Sequence, residues 1–100
     1  MSQEQNKTRL QKRYDLEPPK DYKVIYINDD RTSFEFVSGS LIQYFDYNTD
    51  TANTKTAEIH SKGSSVVAIL PFEEAEQKGV EVVMSARHNG FPLEVRLEQA

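Results

Sequence analysis

The stretch Tyr22-Lys23-Val24-Ile25-Tyr26-Ile27-Asn28 limits what this chain can fold into more than any other segment. Val, Ile and Tyr dominate it, and such branched or ring-bearing side chains favour extended backbone. Apolar groups fall at both parities, the pattern of a strand covered on both faces, so the rest of the chain must assemble around it. It stops in Asn28-Asp29-Asp30-Arg31, where short polar side chains favour a turn. Thr32, followed three residues later by Glu35, predicts a capping box, and Phe34, Val37, Leu41 and Phe45 continue at helical spacing. A helix is therefore expected from Thr32 to about Tyr44 or Phe45.

The remaining segments alternate between the two periods. Asn48 or Thr49 caps a second helix carrying Ala52, Thr56 and Ile59, with Gly63 as its stop. Its Thr and Asn content is poor for helix propensity, so tertiary packing must hold it. Ser65 to Leu70 is a short apolar strand closed by Pro71. Phe72, Ala75, Gly79, Val82, Val83 and Ala86 mark a third helix with one buried stripe, ended by His88-Asn89-Gly90. Leu93, Val95 and Leu97 then alternate with Glu94, Arg96 and Glu98, a half-exposed strand. The expected class is α+β: a small three-stranded antiparallel sheet packed with three helices, order βααβαβ.

One hundred residues suit one domain. Residues 1–20, rich in Gln, Lys and Arg and ended by Pro18-Pro19, read as a flexible arm, leaving 21–100 as the core domain. A net charge of -4 disfavours nucleic acid and anionic membranes, which are bound mainly through clustered Lys and Arg. The lack of cysteine removes disulfides, thiol nucleophiles and thiolate metal sites together. With no apolar run near the roughly 20 residues needed to cross a bilayer and no signal-like leader, a cytoplasmic location is expected.

Templates for catalysis are missing: there is no P-loop, G-x-G-x-x-G, H-E-x-x-H or G-x-S-x-G, and the histidines are His60 and His88 alone. The expectation is a binding protein without catalytic or metal site and without cofactor. His88 suits the last turn of a helix, where a cation complements the dipole. His60 follows Thr56 by one helical turn and shares its face. Asn28, Asp29 and Thr32 gather hydrogen-bond acceptors beside an apolar helix face, which suits an ammonium group joined to an apolar side chain. Taken singly, each signal also has a plainer meaning as turn chemistry or a solvated histidine.

In order and spacing, however, Tyr22-Lys23-Val24-Ile25, Asn28-Asp29-Asp30, Thr32, Glu35-Phe36-Val37, Ile59-His60, Gly63, Glu73, Lys78 and Pro92-Leu93 together resemble the ClpS family of Clp protease adaptors. The likeness runs collinearly over about residues 18–100 and includes the Pro-Pro lead-in. It implies an adaptor that binds proteins with a bulky apolar first residue, an N-degron, and hands them to a ClpA-type unfoldase feeding the ClpP peptidase. It further implies that Asn28, Asp29 and His60 hold the substrate's α-amino group, and that Ile27, Thr32, Phe34, Val37, Thr56, Ile59 and Leu93 line the side-chain pocket. Glu73 and Lys78 match positions that touch the unfoldase's N-terminal domain, and the arm matches an extension needed for delivery. Phe34 and Thr56 stand where better-known members carry methionine, which bears on the first residue preferred. A neutral imidazole accepts from the ammonium, so binding should weaken as His60 takes up a proton. The alternatives are a paralogue that docks on the unfoldase without binding degrons, and a generic interaction domain.

Overall fold

The computed structural model describes residues 20–100. The arm expected over 1–20 therefore lies, apart from Lys20, outside the described residues. β1 (Asp21–Ile27) is the middle strand of a three-stranded sheet. β2 (Ser64–Pro71) and β3 (Glu94–Gln99) flank it, both antiparallel, in the order β2-β1-β3. α1 (Phe34–Phe45) and α2 (Thr49–Lys62) connect β1 to β2, and α3 (Phe72–His88) connects β2 to β3. The element order βααβαβ is the expected one.

Tyr22, Val24 and Tyr26 alternate along β1 and point into the core with Val37 and Leu41 of α1, Ala52 and Ile59 of α2, and Ala75, Val82 and Ala86 of α3. The opposite face of the strand differs from the two-sided cover expected from its sequence. Among the described residues no second layer lies there. Ile25 is only 9 % exposed because its cross-strand partners Val66 and Arg96 shield it, so the outer apolar parity of β1 is protected within the sheet itself.

β2 holds one extra residue. Ala68 pairs with Val24 and Val66 with Ile25, which leaves Val67 as a bulge. Its carbonyl accepts from the Tyr47 hydroxyl at 2.7 Å, so the interrupted ladder leaves no orphan there.

The helix ends follow local chemistry. Asn48 caps α2, accepting from the Thr51 N–H at 2.8 Å while Thr51 Oγ1 accepts from the Asn48 N–H, a reciprocal box. Gly63 closes α2 with φ 91°, a left-handed conformation that glycine adopts without a Cβ penalty. α1 starts one residue later than the capping-box pattern indicates: Ser33, not Thr32, is its N-cap, accepting from the Phe36 N–H at 3.1 Å. Thr32 is diverted because its hydroxyl donates backwards to Asp29.

Candidate functional site

Asp29 builds the turn that leaves β1. Its Oδ1 accepts the backbone N–H groups of Arg31 and Thr32 at 2.8 and 2.7 Å, and its Oδ2 accepts the Thr32 hydroxyl at 2.7 Å. Burial alone raises the carboxyl's pKa, but the bonds from Thr32 and Arg31 outweigh it and hold the group below its ordinary value. A carboxylate has about four lone-pair sites, so this one keeps about one for anything else. Asp30, exposed beside it, meets no hydrogen-bond or ion-pair partner among the described residues.

The turn is fastened to the end of α2. Asn28 donates its backbone N–H to the Gly63 carbonyl at 2.8 Å, and Gly63 in turn donates to the Ile59 carbonyl at 2.9 Å. His60, in the last turn of α2, is thereby brought to the same lip as Asn28 and Asp30.

Between α1 and α2 a recess of about 400 Å³ opens, lined by Asn28, Asp29, Asp30 and Thr32 at the turn, Phe34 and Val37 from α1, and Thr56, Ile59 and His60 from α2. That volume lies in the ordinary range for small-ligand sites. Polar groups sit at the turn and at His60, and the helix walls are apolar. Thr56 belongs with the apolar wall in its chemistry: it is 4 % exposed and its hydroxyl proton goes to the Ala52 carbonyl at 2.7 Å, leaving no donor for a ligand. Phe34 is 45 % exposed and stands where the recess meets solvent.

A buried relay stands behind the α1 wall. Ser40 Oγ donates to the Val37 carbonyl at 2.8 Å, so its bond with the Tyr26 hydroxyl, also 2.8 Å, must have tyrosine as donor. Burial pushes the Tyr26 phenol well above its ordinary pKa, and it stays protonated to make that bond.

Of the residues named from the sequence, Asn28, Asp29, Thr32, Phe34, Val37, Thr56, Ile59 and His60 come together around this recess. Leu93 is 1 % exposed within the core cluster, and Ile27 is half-buried at the end of β1; neither is among the lining residues. Asp30 lines the recess but was not singled out from Asp29, and no signal in the sequence separates two adjacent aspartates. Glu73 and Lys78 lie on α3, Glu73 exposed in the first turn beside Lys20, Tyr22, Pro71 and Phe72. His88 is exposed in the last turn of α3. A separate groove between α3 and β3, formed by Gly79, Val80, Val83, Met84, Val95 and Leu97, has among the described residues Glu76 as its one charged group and no converging acceptors. Among the described residues no three His, Asp or Glu side chains gather as a metal site, and no helix is long and apolar enough to cross a membrane.

Residues 17–96 match the family model described as ATP-dependent Clp protease adaptor protein ClpS. The chain belongs to the ClpS family. It is 39% identical over 84 residues to the ATP-dependent Clp protease adapter protein ClpS of Helicobacter hepaticus, covering 84% of this chain and 85% of that protein. To the ClpS of Sodalis glossinidius it is 42% identical over 85 residues, covering 85% of this chain and 80% of that protein. Among solved structures, Agrobacterium tumefaciens ClpS2 bound to L-phenylalaninamide superposes with a TM-score of 0.79 at 36% identity, covering 82% of this chain and 99% of that one. The span matched to the ClpS family contains every residue that lines the recess. ClpS proteins are adaptors and not themselves the protease, which agrees with a site built of acceptors and apolar walls.

Proposed function

We propose that the recess receives the free α-ammonium group and the first side chain of a protein whose N-terminal residue is bulky and apolar, and that the protein presents such chains to the Clp unfoldase for degradation. The observation that carries this reading is the pairing of converging acceptors at one lip with apolar helix walls directly beside them. L-phenylalaninamide, held by the Agrobacterium relative, is chemically that pair: a free amine and a benzyl group.

An ammonium has three donors. Asn28, His60 and a carboxylate supply three acceptors, and among the described residues Asp30 is the carboxylate with its lone pairs uncommitted, while Asp29 shapes the turn and lends its charge at close range. Hydrogen bonds to a charged group contribute about 1.5–3 kcal/mol each, and burial of a Phe or Leu side chain a similar amount. After the cost of association the expected affinity is about micromolar or somewhat tighter, which suits an adaptor that must release its cargo.

Docking on the unfoldase's N-terminal domain falls to α3, with Glu73 and Lys78 as contacts. Delivery falls to residues 1–17, whose deletion should leave peptide binding intact and abolish hand-over. The test of the recess is a titration with Phe-, Leu-, Trp- and Met-initiated peptides against N-acetylated counterparts, repeated with His60→Ala. Free-amine peptides should bind at least tenfold tighter than acetylated ones, and His60→Ala should erase most of that difference. Equal binding of free and acetylated peptides would overturn the reading.

A further inference from the structure

The two walls of the recess are cross-linked once by their side chains. Ser38 Oγ on α1 donates to Asn53 Oδ1 on α2 at 2.7 Å, and among the described residues this is the one side-chain hydrogen bond between the two helices. Its position follows from helical spacing. α1 and α2 form a hairpin closed by Asp46, Tyr47 and Asn48, and side chains three or four residues apart lie one turn apart on a face. Ser38 lies one turn inward of Phe34, and Asn53 lies one turn inward of Thr56. The bond therefore sits just below the recess, on the side of the closed end of the hairpin.

Its surroundings favour it as a tie. Ala52, next to Asn53, is fully buried in the core and anchors this turn of α2. Ser38 is itself 6 % exposed, so its hydroxyl has little access to water as an alternative partner. Farther out, Phe34 and Val37 face Thr56, Ile59 and His60 with no side-chain hydrogen bond across the gap. The Ser38–Asn53 bond is thus the polar tie between walls whose apolar residues Val37 and Ile59 also share the core.

We infer that Ser38 and Asn53 are positioning residues that fix the width of the recess and so the size of the first side chain it accepts. This rests on the function proposed above. Neither residue touches the ligand; both act through α1 and α2. Close-packed walls discriminate by shape only while their spacing is held, and loosening one anchor admits larger groups at the expense of the snug contact that small ones need.

The test uses the full chain with Leu- and Trp-initiated peptides and an N-acetylated Leu peptide, read by fluorescence anisotropy. Asn53 is exposed, so Asn53→Ala opens no cavity in the core and carries the test even if Ser38→Ala folds poorly. Both alanine variants should raise the Trp-to-Leu affinity ratio about fivefold, the scale of one typical hydrogen bond. Asn53→Asp keeps the acceptor oxygen and should keep the parent's ratio. A ratio unchanged in Asn53→Ala, or changed equally in Asn53→Asp, with the preference for a free amine intact, overturns the positioning role alone. Loss of any difference between free and acetylated Leu peptides in the parent protein overturns the reading of the recess beneath it.

Discussion

The backbone N–H of Asn28 donates to the carbonyl of Gly63 at 2.8 Å, so the end of β1 is fastened to the cap of α2. Asn28 and His60, 32 positions apart in sequence, owe their shared lip to the pairing of β1 with β2, which this bond carries one step past Ile27 and Ser64, and to the left-handed glycine that joins β2 to α2.

Gly63→Ala should therefore affect both stability and binding. Nothing lies within 4 Å of an added Cβ, so the cost is one of backbone conformation at φ 91° and not of collision. A loss of about 1–2 kcal/mol is expected in urea unfolding, together with weaker capture of a Phe-initiated peptide. Unchanged stability would mean that the cap tolerates a side chain in the left-handed region.

The two aspartates should separate by experiment. Asp29→Ala removes the acceptor for two N–H groups and one hydroxyl and should destabilise the fold by about 1 kcal/mol or more. Asp30→Ala should leave the unfolding midpoint within experimental error while weakening binding of a free-amine peptide about tenfold. Unfolding curves and peptide titrations on the same two variants decide between them.

Ser40→Ala should cost more than Tyr26→Phe. The serine variant strands a buried phenol without an acceptor, at about 1–3 kcal/mol, whereas the phenylalanine variant leaves Ser40 still donating to Val37. The double variant should then be more stable than the sum of the two single losses indicates, which a double-mutant cycle measures directly.

Glu58 ties α2 to β2 by accepting from Ser65 and Lys55, with Lys62 nearby. Those contacts, the Ser65 bond foremost, lower its carboxyl from 4.5 to about 2. The folded value lies below the unfolded one, so the contribution is fully present above pH 4.5 and fades as the pH falls towards about 2. Glu58→Gln should flatten the dependence of stability on pH across that window, as followed by urea unfolding at a series of pH values. Above the window the variant should be the less stable protein.

Much of the fold was legible because strong local signals agreed with the final packing. Asn48 and Gly63 bracket α2 in sequence as they do in space, and the switch from period two to the helical period marks every other element. The start of α1 misled because Thr32-x-x-Glu35 and Ser33-x-x-Phe36 compete for the same role. Asp29 takes the Thr32 hydroxyl first, and that outcome depends on the conformation of the turn. The bulge at Val67 was invisible for a different reason: an unbroken apolar run carries no mark of which residue is the extra one. At the site, resemblance to a family and helical spacing gathered eight of the lining residues, but that Asp29 spends three acceptor bonds on its own turn is written only in the folded structure.

The extra residue in β2 is absorbed without changing the pairs on either side of it. Ser65 pairs with Tyr26, a residue of the helix-covered face, and so meets Glu58. Deleting Val67 would leave Ser65 opposite Tyr26 and Val66 opposite Ile25 in an unbroken ladder, but it would remove a buried core side chain and the carbonyl that holds the Tyr47 hydroxyl. A single-residue deletion far from the recess would thus untether Tyr47 at the closed end of the α1–α2 hairpin, and cargo capture would weaken with every contact residue still in place.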